Sequence, residues 1–137
     1  MLNVLIVALL LAVAASQVVP WLMVSWISPA SFDRERHSGA DLLVVDIRTV
    51  DEFSEAHLPG TISVALRHLR QEAQTWAAGA SIVVVARTDY GALKGYHTLR
   101  HCGVLRVRCL RGGMLGYVRH LLASRAALNP ETGGAAQ

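Results

Sequence analysis

Ser81 to Ala92, SIVVVARTDYGA, is the stretch that decides the fold. Its apolar, β-branched run, Ile82 to Val85, stops at Ala86 and opens into a short polar loop, Arg87-Thr88-Asp89-Tyr90-Gly91. A helical pattern begins near Ala92. A buried strand that ends in a tight loop over a helix N-terminus makes a ready anion site. Backbone N–H groups point into such a loop, and the helix dipole favours negative charge there. In open α/β sheets ligands gather at the carboxyl ends of the strands. Arg87, Thr88, Asp89, Tyr90 and Gly91 are therefore the candidate ligand loop.

On either side of this stretch, strands and helices alternate. Upstream, Leu42-Leu43-Val44-Val45 reads as a buried strand ending at Asp46, followed by a short helix around Asp51-Glu52-Phe53 and a turn at His57-Leu58-Pro59-Gly60. Thr61 to Val64 is a second strand. From Leu66 to Ala77, the apolar Leu66, Leu69, Ala73, Trp76 and Ala77 recur at helical spacing. Downstream, Leu93, Tyr96 and Leu99 line a helix closed by Gly103, and Val107 to Leu110 is the last strand. Arg111-Gly112-Gly113 then turns the chain into a final helix carrying Leu115, Val118, Leu121 and Leu122. Such alternation predicts an α/β domain with a central parallel sheet covered on both faces. Asp46, Arg87 and Arg111 should share one edge of that sheet.

Asp41 to Leu66, DLLVVDIRTVDEFSEAHLPGTISVAL, closely resembles the first half of a rhodanese (thiosulfate sulfurtransferase-like) domain. The family's Asp-x-Arg after a strand, its acidic-aromatic pair and its His-Ile-Pro-Gly-Ala turn match Asp46 and Arg48, Glu52-Phe53, and His57-Leu58-Pro59-Gly60-Thr61. The second half is similar too, with Gly103 closing a helix, then Arg111-Gly112-Gly113 and the downstream aromatic Tyr117. The resemblance spans roughly residues 40–118 and implies a rhodanese-like three-layer sandwich. It also implies that a cysteine at the end of the central strand should take up sulfane sulfur as a persulfide. That position is Ala86 here, the family's loop glycine falls on Asp89, and its loop arginine falls on Gly91. The acceptor must be a thiolate, and an alanine methyl cannot serve. The related cell-cycle phosphatases on this fold need the same cysteine. No catalytic residue is assigned, and Asp46, Arg48 and Arg111 are given supporting roles.

Neither of the two cysteines is expected to replace the missing one. Cys102 should lie at the far end of the helix, about 15 Å along its axis, and Cys109 in a neighbouring strand, aimed into the core. His97 and His101 are four apart on one helix face, but Lys94 shares that face and no third ligand is near in sequence. No metal and no cofactor are expected.

The N-terminus follows a different logic. Leu2 to Val19 gives 18 consecutive residues with only Asn3, Ser16 and Gln17 polar, and no charged side chain occurs from Met1 to Ser28. A helix of that length spans about 27 Å, close to the hydrocarbon thickness of a bilayer. Trp21 and Trp26 suit the interfacial belt. A cleaved signal peptide is the competitor, with Ala12-Val13-Ala14 as its small-residue site. The uncharged Met1-Leu2-Asn3 and the apolar run onward to Ile27 oppose it. The chain thus divides into an anchor over 1–28, a polar connector over 29–39 with about one helical turn, the domain over 40–123 and a flexible tail over 124–137. Arg34 and Arg36 follow the anchor and place the domain in the cytoplasm of a single-pass arrangement.

The net charge of +3 is unevenly spread, since residues 81–137 carry eight Lys and Arg against two acids. No aromatics are interleaved with these arginines, which argues against nucleic acid. Arg87 and Arg111, both at strand carboxyl ends, are candidates to flank one anionic ligand. The expected function is a membrane-anchored binding or interaction module for a protein partner or small anion. The alternative is a sulfurtransferase-type enzyme that uses a different residue or a partner's thiol.

Overall fold

The computed structural model describes residues 1–76 and 78–128. Five strands form one sheet in the order β1-β5-β4-β2-β3, every neighbouring pair parallel. They are β1 (Trp26–Ile27), β2 (Leu42–Asp46), β3 (Ile62–Ser63), β4 (Ser81–Val85) and β5 (Arg106–Leu110). Among the described residues the α-helices are α1 (Leu2–Leu22), α2 (Pro29–His37), α3 (Val50–Glu55), α4 (Leu69–Ala73), α5 (Asp89–His101) and α6 (Gly113–Leu128).

β4 sits in the middle and explains the two layers that enclose the sheet. Its side chains alternate, as the pleat requires. Ile82 and Val84 join one apolar cluster with Leu69, Leu93 and Leu99 from α4 and α5. Val83 and Val85 join the other, with Phe32 of α2, Leu58 and Tyr117 of α6. All four β4 side chains are fully buried. A three-layer α/β sandwich results. The registers Asp46↔Val85 and Val84↔Cys109 bring the segments after β2, β4 and β5 to one carboxyl edge, as expected.

The domain starts earlier than the sequence suggests. Trp26 and Ile27, read as the end of an anchor, form β1 and pair with Cys109 and Leu110. Residues 29–39, read as a connector, hold the nine-residue helix α2, which buries Phe32 completely. Ser28 caps that helix by accepting the Ser31 N–H, with Pro29 at its first position. A charged stretch with a single phenylalanine hides its one inward face, so its local composition looks like a linker.

The expected helix over 66–77 is a 3-10 turn, Leu66–His68, continued as α4 only to Ala73, and Ala77 lies outside the described residues. α6 continues to Leu128, beyond the expected boundary at 123, and exposes Leu115, Val118, Leu121 and Leu122 while burying Tyr117. The tail beyond Leu128 lies outside the described residues.

α1 is long and apolar enough to cross a membrane, and none of Leu2–Val19 is buried against the domain. The Trp21 side chain lies outside those described. Trp26 does not serve as an interfacial residue of the helix; it lies in β1 with the Arg111 guanidinium 5.3 Å above its ring.

Candidate functional site

The carboxyl edge of β4 is built around Ala86, which is 2% exposed and belongs to the α5-side core. Its methyl lies beneath the first turn of α5. A Cβ added to Gly91 would meet the Ala86 Cβ at 3.6 Å and the Thr88 Oγ1 at 3.5 Å. The Ala86 carbonyl accepts the Met114 N–H at 3.3 Å, which draws the β5–α6 turn onto β4. That approach requires glycine. Gly113 has φ +60°, and a Cβ there would run into the Ala86 carbonyl oxygen.

The helix starts sooner than Ala92. Thr88 is its N-cap: the hydroxyl accepts the Gly91 N–H at 3.1 Å and the carbonyl accepts the Ala92 N–H at 3.0 Å. Asp89, Tyr90 and Gly91 are therefore the first turn of α5 and not a loop. Two N–H groups that a ligand cradle would present are consumed by Thr88. Asp89, on which the family's loop glycine falls, turns toward the β5–α6 turn, where its Oδ1 accepts the Gly112 N–H at 3.0 Å.

The two arginines share the edge but not a site. Arg87 is exposed and reaches toward α3, with Nη1 3.4 Å from Glu52 Oε1. Arg111 leans the other way, over Trp26 in β1. Because α3 follows β2 and β1 lies beyond β5, the two guanidiniums diverge to opposite flanks of α5's N-terminus. Tyr90 is exposed, with the Lys94 ammonium 4.6 Å above its ring.

Asp46 and Arg48 form a buried pair, with side chains 1% and 8% exposed. Arg48 Nη2 donates to Asp46 Oδ2 at 2.7 Å and also to the Ala56 carbonyl at 2.7 Å. The pair thus ties the end of β2 to the end of α3, and it makes no hydrogen bond to Arg87–Gly91. Around it, Thr49 and Glu52 make a capping box. The Thr49 backbone N–H and hydroxyl, both donating to Glu52, hold its carboxyl below the usual carboxylate range. His57 stacks on Phe53 with ring centroids 4.1 Å apart.

The cysteines lie where the sequence expects them. Cys109 is fully buried in β5 and its Sγ donates to the Ala92 carbonyl at 3.4 Å. Burial, reinforced by the Asp89 charge, pushes its thiol up to about 12. Cys102 is the C-cap residue of α5, at the opposite end from Ala86. Among the described residues no cluster of His, Cys, Asp and Glu is arranged to hold a metal.

One cluster escapes sequence reasoning. Tyr117 donates to Asp33 Oδ1 at 2.7 Å and accepts from Arg36 Nη1 at 3.3 Å, while Arg36 Nη2 donates to the Pro59 carbonyl at 3.1 Å. Burial, with the Asp33 carboxylate next, raises the Tyr117 hydroxyl's pKa. This network welds α2, α6 and the His57–Gly60 turn together. Assigning 29–39 to a connector hid it.

The strand order, the Gly-Gly approach to Ala86 and the Asp46–Arg48 pair agree with sequence comparison, in which the rhodanese-like domain model matches residues 28–120. The chain belongs to the rhodanese-like domain family. This rhodanese-like domain also superposes on solved structures. It is similar to the rhodanese-like domain of the Alr3790 protein from Anabaena sp., at a TM-score of 0.67 and 18% identity, covering 72% of this chain and 76% of that one. The BH2092 protein from Bacillus halodurans gives a TM-score of 0.66 at 20% identity, over 79% and 81% of the two chains. A human single-domain sulfurtransferase, TSTD1, gives 0.60 at 16% identity, over 69% and 95%. Likeness at these identities establishes the fold. No curated protein matches the chain in sequence.

Proposed function

We propose that this chain is a membrane-anchored rhodanese-like domain that takes up no sulfur itself and works as a binding or interaction module. One observation carries the reading. The side chain under the first turn of α5, where the family resemblance puts the sulfur acceptor, is the methyl of Ala86. A methyl cannot ionise, attack a sulfane sulfur or hold a persulfide. Cys109 is buried with its thiol held protonated, and Cys102 caps the far end of the helix. Phosphatase chemistry, which needs the same thiolate, is set aside with it.

The diverging Arg87 and Arg111 favour an extended acidic surface of a protein partner over one small anion. In this reading α1, which is long and apolar enough, spans the membrane, and the positive-inside rule applied to Arg34 and Arg36 favours the cytoplasmic side for the domain. Two measurements test this. The full chain in detergent micelles should form no thiocyanate from thiosulfate and cyanide above the uncatalysed rate. Robust turnover would overturn the reading in favour of an enzyme using another residue. Detergent, but not high salt, should release the protein from membranes. A soluble product beginning near Ala15 or Gln17 would show a cleaved signal peptide instead.

A further inference from the structure

At the opposite edge of the sheet, where α1 joins the domain, a second site is assembled. Only Met23, Val24 and Ser25 separate α1 from β1. Both ends of that link are fastened to the domain. Tyr96 donates its hydroxyl to the Met23 carbonyl at 3.2 Å, and the Ser25 carbonyl accepts the Cys109 N–H at 2.8 Å. Because β1 runs parallel to β5, the link enters at the amino ends of the strands. Three residues reach at most about 10 Å. Whatever surface α1 emerges from therefore lies within that distance of this edge.

A cleft of about 440 Å³ opens there, lined by Ser25, Tyr96, Arg100, Leu105 and Arg106 among others. Its charge is one-sided. Arg100 uses Nη1 to donate to the carbonyls of Val104 and Leu105 at 3.4 and 2.8 Å, which holds the guanidinium in place and leaves Nε and Nη2 for a ligand. Arg106 is exposed and has no acidic partner within ion-pair distance among the described residues. The third arginine of the cleft, Arg108, is neutralised by a bidentate pair with Glu35 at 2.7 Å. Beside these cations Leu105 is 74% exposed.

We propose that this cleft binds the headgroup phosphate of an anionic phospholipid in the leaflet from which α1 emerges. Arg100 and Arg106 supply the charge-assisted donors, and Leu105 enters the acyl boundary beside them. This rests on the reading that α1 spans a bilayer. The link's reach of about 10 Å is comparable with the screening length of about 8 Å in physiological salt, so the two unpaired arginines still feel a charged leaflet. The same geometry turns Arg87 and Arg111 away from the lipid.

The test uses the full chain in vesicles and then in detergent. Flotation with pure phosphatidylcholine vesicles reports α1 alone, since those carry no net charge. Native mass spectrometry of the detergent-solubilised protein then compares retained phosphatidylglycerol with phosphatidylcholine. The wild type should favour phosphatidylglycerol about tenfold, and Arg106→Glu should remove most of that preference. Arg67→Glu, the same charge change at the other edge, should leave it intact. Arg106→Gln, with an unchanged circular dichroism spectrum, should give an intermediate loss and guards against misfolding. Flotation without phosphatidylglycerol preference, or equal losses in Arg106→Glu and Arg67→Glu, would overturn the cleft and leave the anchor standing. Failure to float would overturn both.

Discussion

The Asp89 carboxylate accepts the Gly112 N–H at 3.0 Å, which joins the first turn of α5 to the turn that follows β5. The same carboxylate sits at a helix N-terminus, where negative charge is favoured. The residue on which the resemblance places the family's loop glycine is here a strut between α5 and the turn after β5.

Rebuilding a sulfur acceptor should take more than a thiol. Ala86→Cys alone should give little thiocyanate formation. Asp89 keeps its charge close by, and no cation is supplied at Gly91. Adding Asp89→Gly and Gly91→Arg should raise the rate by orders of magnitude, through nucleophile, removed charge and added cation. Position 91 accepts a side chain, because a Cβ there makes only ordinary contacts of 3.5 and 3.6 Å. The triple variant should lose about 1 kcal/mol of stability, since the Gly112 N–H loses its acceptor. Steady-state assay and urea unfolding measure the two effects, and a triple variant no faster than Ala86→Cys would show that the first turn of α5 cannot form a cradle.

Gly113→Ala should cost about 2–4 kcal/mol, combining a left-handed backbone with a clash against the Ala86 carbonyl. Gly79→Ala, which meets nothing within 4 Å, should stay within about 0.5 kcal/mol. Equal melting temperatures for the two variants would contradict the close approach.

The cysteines should separate in reactivity. Under native conditions iodoacetamide should modify Cys102 and spare Cys109 until the protein unfolds. The sign of the pH effect follows from the raised folded value. In the unfolded chain the Cys109 thiol loses its proton near 9, whereas in the folded protein it does so near 12. Its contribution to stability is complete below pH 9 and is lost as pH rises toward 12. Cys109→Ala should flatten that alkaline slope in a thermal-melt series. An unchanged slope would place the titrating group elsewhere.

Much of the fold was legible because β4 and its neighbour β2 are apolar on both faces, a pattern that few other arrangements produce. The Asp46–Arg48 pair and the Gly112-Gly113 turn were legible as motifs. The start of α5 was not, because Thr88 caps the helix through a hydroxyl that reads equally well as a loop residue. α2 was missed since Phe32 is its only fully buried residue. Nor does sequence show where a long side chain leans. Arg87 and Arg111 sit at equivalent strand ends and diverge because Glu52 draws one and Trp26 the other.

The placing of β1 at the sheet edge sets an order on the making of this protein. Its partner β5 is synthesised about eighty residues later, after every other strand. As the ribosome works from the N-terminus, α1 is delivered first, while the strand attached to it waits for nearly the whole domain. A long loop must close before that pairing forms. The strand nearest α1 is thus the last to be satisfied, and a nascent chain stalled before Arg106 would hold an unpaired β1 and an open β4 edge.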